Sequence, residues 1–122
     1  MTNVTAATKQ GTYFDTSGPD AIITTVGELT ELRVEILNKR DAADRYRIDL
    51  TGLPSDVVEV TNSPILTQIV NPHQTIQVPF SIRTLREDDS SRLSVKIISF
   101  RETELVLNIP VKSKLYSLPE FG

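Results

Sequence analysis

The sequence predicts a single all-β domain, a sandwich of about seven antiparallel strands. Apolar residues recur at every second position along several segments, the period of a strand with one face buried and one wet. Clusters of Gly, Pro, Asn and Asp interrupt these segments at roughly 10–15-residue intervals, where hairpin and corner turns belong. Thr, Val, Ile and Leu dominate, Ala is scarce and Trp is absent, a mixture that fits a pleated surface better than a helix. A chain of 122 residues, 39% hydrophobic and 24% charged, is one ordinary domain with enough apolar material for its own core.

Residues 1–11 are polar and aperiodic and read as a flexible lead-in. Residues 12–14 and 21–26 are short β-prone pieces around the turn-rich 15–20, together a split first strand at a sheet edge. Leu32, Val34 and Ile36 then alternate with Glu31, Arg33 and Glu35. A helix over 29–38 fails, because its polar residues fall at every second position. A polar turn at 38–41 leads to Tyr46, Ile48 and Leu50, alternating with Arg45, Arg47 and Asp49. Breaks at 52–56 and 62–64 bracket a short strand with Val58 and Val60; 65–70 is the next strand and 71–74 the next turn. Ile76, Val78, Phe80 and Ile82 make a long strand whose Pro79, on the opposite phase, marks an edge or a bulge. An acidic turn at 87–90 precedes Leu93, Val95 and Ile97. Ile98 and Phe100 take the other phase there, so cover on both faces is expected near the strand's end. Residues 101–103 connect to the last strand, with Leu105, Leu107, Ile109 and Val111. The expected layout is an immunoglobulin-like sandwich over 12–119 and a tail at 120–122. Its expected core is Leu32, Val34, Ile36, Tyr46, Ile48, Leu50, Ile76, Val78, Phe80, Leu93, Val95, Ile97, Leu107 and Ile109.

Residues able to do chemistry are few and scattered. The absence of Cys excludes disulfides, thiolate metal sites and iron–sulfur ligation within this chain. His73 is the only histidine and sits in an Asn-Pro-His-Gln turn, and one imidazole cannot build a multi-histidine zinc site. Asp41, Asp44, Glu87, Asp88 and Asp89 fall in loops without the spacing of a calcium loop. Ser90, Ser91, Ser94 and Ser99 include no nucleophile elbow, and the isolated glycines form no phosphate loop. Asn3-Val4-Thr5 matches a glycosylation sequon, a match common by chance. A net charge of −3 with scattered Lys and Arg lacks the basic stripe that nucleic acid requires. Residues 1–12 lack the apolar run of a signal peptide, and no apolar stretch approaches the ~20 residues of a membrane span. The expectation is therefore a non-enzymatic chain with no cofactor or metal, either cytosolic or a soluble piece of a longer protein. Arg33, Glu35, Arg45 and Arg47 are read as lining two neighbouring strands. That is by default a solvated sheet face, and it is the candidate face for contacting a partner.

Residues 32–54, LRVEILNKRDAADRYRIDLTGLP, carry a resemblance. A strand ending in Asn38-Lys39, a short polar loop, and a strand led by Tyr46 and ending in Gly52-Leu53 is similar to the C-terminal immunoglobulin-like domain of FixG/CcoG-type proteins. These are iron–sulfur membrane proteins of cytochrome oxidase maturation. The turn Val70-Asn71-Pro72-His73-Gln74 before Ile76 and Val78 resembles the same family. So does the closing SKLYSLP at 113–119, with Leu115 where an aromatic is expected. The resemblance implies a periplasmic accessory domain at the bacterial inner membrane that aids oxidase assembly. Membrane helices, iron–sulfur clusters and any copper-reducing activity would then lie upstream of this segment. Its partners would be a protein or other domains of the same membrane protein, and no catalytic residue carries over. The alternative is a periplasmic or surface adhesion or chaperone-type sandwich; a carbohydrate-binding module suffers from an aromatic content of only 6%.

Overall fold

The computed structural model describes residues 7–54, 57–61, 63–101 and 103–115. They form ten strands and no helix: β1 (Ala7–Gln10), β2 (Phe14–Gly18), β3 (Ile22–Thr25), β4 (Leu29–Asn38), β5 (Tyr46–Thr51), β6 (Val58–Thr61), β7 (Ile65–Leu66), β8 (Thr75–Thr84), β9 (Asp88–Ser99) and β10 (Glu104–Lys114). The first sheet runs β1-β2-β4-β8-β6 and the second β3-β10-β9-β5-β7. Every pairing is antiparallel except β3 with β10. This is the immunoglobulin-like sandwich that the alternation predicts.

Register explains why the alternation works. Leu32 opposes Phe80 and Val34 opposes Val78 in the first sheet; Ile48 opposes Ile97 and Leu93 opposes Ile109 in the second. Because side chains alternate across a strand, these pairs all point into one layer between the sheets. All the expected core residues are buried except Ile76, which is half-buried and packs on the core's rim one residue from the start of β8. Phe14, Ile22, Val57, Val58, Val70, Ile82 and Val111 complete the core.

Four local expectations are corrected. Ala7–Gln10 lies in the expected lead-in but pairs with β2. The expected turn at 15–20 is mostly strand, because Thr16 and Gly18 take inward positions that apolar residues would normally mark. The Thr16 hydroxyl donates to the Glu35 carbonyl at 2.9 Å, and a Cβ on Gly18 would stand 3.3 Å from Ile109. The chain crosses between sheets only at 19–21, so the split first strand serves both layers, with β3 at an edge and β2 covered by β1. The acidic turn instead begins β9, since Asp88 accepts hydrogen bonds from the Ser90 and Ser91 hydroxyls and pairs with Ser113 beside a bulge. The strand expected at 65–70 stops at Leu66, where Thr67 Oγ1 replaces a carbonyl as acceptor for the Tyr46 amide, at 3.1 Å.

Pro79 opposes Arg33 of β4, and β6 ends opposite Ser81, so β8 is locally an edge there as its proline requires. Pro110 repeats the device, one residue before β10 meets β3. The tail at 120–122, the sequon at 3–5 and positions 116–119 of the closing block lie outside the described residues.

Candidate interaction surface

Arg33 and Glu35 stand on β4 in the first sheet, whereas Arg47 lies on β5, and Arg45 just before it, in the second. The four are therefore not one face. The 39–45 connection carries the chain from one sheet to the other, and the outward sides of a sandwich point apart. Alternation reports that a residue faces water but not which sheet holds it.

The outer side of the first sheet carries a network in which its arginine is matched by carboxylates. Arg33 Nε donates to Glu31 at 3.2 Å, a second Arg33 nitrogen donates to Gln77 Oε1 at 3.4 Å, and Gln77 donates to Glu35 at 3.4 Å. Opposite charges alternate along β4, and Gln77 of β8 links them.

The second sheet is different at the corner where β5, β7 and β9 meet. Asn38, fully buried at the end of β4, donates to the carbonyls of Ala42, Val70 and Asn71 and accepts from the Arg40 amide. Asp44 exchanges backbone bonds with Val70, accepts from the Arg45 amide at 2.7 Å and receives the Ser99 hydroxyl. These buried polar groups fix the 38–45 connection against the end of β9. On that frame Phe100 is 59% exposed although its amide is bonded to the Arg45 carbonyl at 2.9 Å; Leu66 is 51% and Ile69 64% exposed. Phe100 joins two shallow recesses. One, of 650 Å³, is lined by Arg40, Ala43, Asp44, Arg45, Ile69 and Arg101, and the other, of 600 Å³, by Arg47, Pro64, Ile65 and Leu66. The partial cover expected on both faces near the end of β9 is found at Ile98, which is half-buried, but not at Phe100, which is open.

Arg45 Nε donates to the Thr67 carbonyl at 2.7 Å, Arg101 to the Ala43 carbonyl at 3.4 Å, and Arg40 lies 4.5 Å over the Tyr13 ring. Among the described residues none of these three is paired with a carboxylate, while Arg47 is paired with Asp49 at 3.2 Å. The sequence reading found Arg45 and Arg47 but missed Arg40, Arg101, Leu66, Ile69 and Phe100. The signal for Phe100 was its place on the wrong phase of a strand.

The residues weighed for chemistry do not converge. His73 occupies its turn at φ 61 and meets exposed Asp41 at 2.8 Å. The Ser91 hydroxyl, helped by Ser90 and Arg86, holds the Asp88 carboxyl below its ordinary range. Among the described residues no three His, Cys, Asp or Glu side chains are grouped as metal ligands would be, and no helix is long and apolar enough to cross a membrane.

The positions behind the family resemblance have structural work. Lys39 donates to the Gly11 carbonyl and to Asp15, Tyr46 packs on Phe14 with ring centroids 5.0 Å apart, and Leu53 packs against the core. Gly52 needs its φ of +87°, and a Cβ there would come within 3.2 Å of the Arg92 carbonyl.

The molecule so described is an immunoglobulin-like β-sandwich with an arginine-rimmed apolar corner. Among solved structures it is similar to a FixG-related protein from Vibrio parahaemolyticus, at 15% identity and TM-score 0.58, over 71% of this chain and 80% of that one. The ASH/PapD-like domain of human CEP192 is also similar, at 14% identity and TM-score 0.55, over 88% of each chain. So is a segment of E. coli alpha-2-macroglobulin, at 14% identity and TM-score 0.65, over 84% of this chain but 7% of that one. At such identities the likeness is one of fold. No protein-family model and no curated protein matches the sequence.

Proposed function

We propose that the chain is a non-catalytic accessory domain that works by contact, as the periplasmic C-terminal part of a FixG/CcoG-type membrane protein assisting cytochrome oxidase assembly. The observation that carries this reading is the fold shared with a FixG-related protein over most of that chain, together with the Asn38-Lys39, Tyr46 and Gly52-Leu53 pattern. In this reading the iron–sulfur clusters and any redox chemistry belong to the upstream part, and this domain holds a protein partner or another domain close to it. Weak contacts suffice for that, because tethering raises the effective concentration of the partner.

The test is made on the full reading frame and then on the full-length protein. The frame should encode upstream membrane helices and Cys-x-x-Cys-x-x-Cys runs. Removing the domain should impair oxidase assembly, measured as assembled oxidase in membranes, while iron–sulfur content stays unchanged. A frame without helices and cluster cysteines sinks this reading. The adhesion or chaperone-type alternative then takes its place, favoured by the likeness to a PapD-like domain over 88% of both chains and by the open edge of β3.

A further inference from the structure

We infer that the corner formed by Arg40, Arg45, Arg47, Arg101, Phe100 and Ile69 docks an acidic, extended segment of a protein partner through at least one bulky apolar side chain. This deepens the contact reading above and rests on it. Three observations lead there. The chain is acidic, at −3, yet four arginines line this one corner, against the sign of the whole molecule. Arg40, Arg45 and Arg101 are held by backbone carbonyls or a ring, and no carboxylate of a described residue forms an ion pair with them. The one carboxylate lining their recess, Asp44, is buried and bonded to the Arg45 amide and Ser99. Guanidinium forks fit carboxylates in pairs, which makes acidic side chains the matching ligand.

The apolar half of the surface selects the occupant further. Single exposed apolar residues are ordinary, but Phe100 makes Ile69 and Leu66 one patch with itself at the centre. An aromatic surrounded by arginines is the composition of an interface hot spot. The recesses are shallow troughs on a sheet corner, whereas a small-molecule site encloses most of its ligand. A short peptide laid across both troughs could place an apolar side chain beside Phe100 and carboxylates on either flank. Phe100 is ready for it, because the hydrogen bond its amide donates to the Arg45 carbonyl and the Asp44–Ser99 pair fix the backbone beneath.

The probe is a labelled peptide of alternating glutamate and leucine, titrated into the whole chain by fluorescence anisotropy. Comparison peptides carry lysine for glutamate, or serine for leucine. Saturable binding is expected for the glutamate–leucine peptide alone, weakening with salt. It should fall about tenfold or more in F100S and in R45E/R101E and stay unchanged in R33E on the opposite sheet. Melting temperatures of all variants accompany the titrations, so that lost folding is not mistaken for lost binding. Absence of saturable binding, equal binding of the lysine peptide, or indifference to F100S overturns the proposal. So does a wild-type dimer in sedimentation that F100S dissolves, which would make a second copy the occupant. In the full-length protein, R45E/R101E/F100S should reproduce the assembly defect of removing the domain. A defect on removal but none in the triple variant condemns this surface and leaves the contact reading standing. No defect on removal condemns the contact reading itself.

Discussion

The outer side of the first sheet and the β5–β7–β9 corner of the second use arginine to opposite ends. On β4, Arg33 sits between Glu31 and Glu35 and is tied to both directly or through Gln77, so its positive charge is matched by carboxylates of the same strand. At the corner, Arg45 and Arg101 are propped on backbone carbonyls beside an open phenyl ring. Charge count alone cannot tell such surfaces apart. What separates them is whether a carboxylate of the same chain stands at hydrogen-bond distance, and that depends on which strands the topology makes neighbours.

The sharpest test of the comparison stays within one strand. Ile97 and Phe100 lie three residues apart on and just after β9, one fully buried and one open. Ile97→Ala should destabilise the domain by ~2–5 kcal/mol in denaturant unfolding, since it opens a cavity beneath the corner. Phe100→Ser should change stability by less than about 1 kcal/mol, as surface substitutions do. A large loss from Phe100→Ser would mean that the ring supports the fold, and the corner would cease to differ from the core.

Next in size is Asn38→Ala. The side chain is fully buried and satisfies three carbonyls and one amide, so its loss leaves buried groups without partners, costing about 1–3 kcal/mol. The consequence should be lopsided. Hydrogen exchange should rise around residues 40–44 and 70–71 beside the corner, and the β4–β8 ladder of the first sheet should stay protected. Equal loosening of both regions would show that the corner has no frame of its own.

Much of the fold was legible because β-strands write their burial into every second residue, as in Leu32-Val34-Ile36 and Leu93-Val95-Ile97. The failures have physical causes. Thr16, Gly18 and Thr67 face inward as polar or small residues, satisfied by a carbonyl, a neighbouring side chain or an amide that no pattern displays. The candidate face failed for another reason. Arg33 and Arg47 share a phase in consecutive strands, and sequence order suggested adjacency, but the 39–45 connection changes sheets. The family-like positions Asn38, Lys39, Tyr46 and Gly52 were found because they shape the fold, which is why they spoke for architecture more than for a partner.

Tyr46→Phe is expected to move stability upward. The phenol is wholly buried and its hydroxyl has no hydrogen-bond partner among the described residues, so deleting that oxygen should stabilise the domain by about 1 kcal/mol. Burial, reinforced by Asp44, raises the hydroxyl's pKa above its ordinary 10.0. A raised folded value gives stability that is complete below pH 10.0 and declines as pH climbs toward the folded value. Phenylalanine should therefore flatten the alkaline limb of the stability profile. A less stable variant with an unchanged alkaline limb would mean that the hydroxyl has a partner after all.

The smallest effect belongs to the first face, and it closes the comparison because there the arginine is already paired with a carboxylate. Arg33→Glu would place three carboxylates in sequence along the outer side of β4, at positions 31, 33 and 35, and remove the donor to Gln77. The Arg33 side chain is 63% exposed, so the pair it makes with Glu31 is worth at most about 1 kcal/mol, and like charges on one strand face add only a few tenths. The loss should shrink as salt is raised, since about 0.1 M salt already screens charges beyond roughly 10 Å. Arg45→Glu, by contrast, breaks no pair with a described carboxylate and should leave the melting temperature less salt-dependent than Arg33→Glu does. Melting curves of the two variants at low and high salt decide the matter. If both respond alike, the corner's arginines are as well neutralised as Arg33 of β4, and the contrast between the faces disappears.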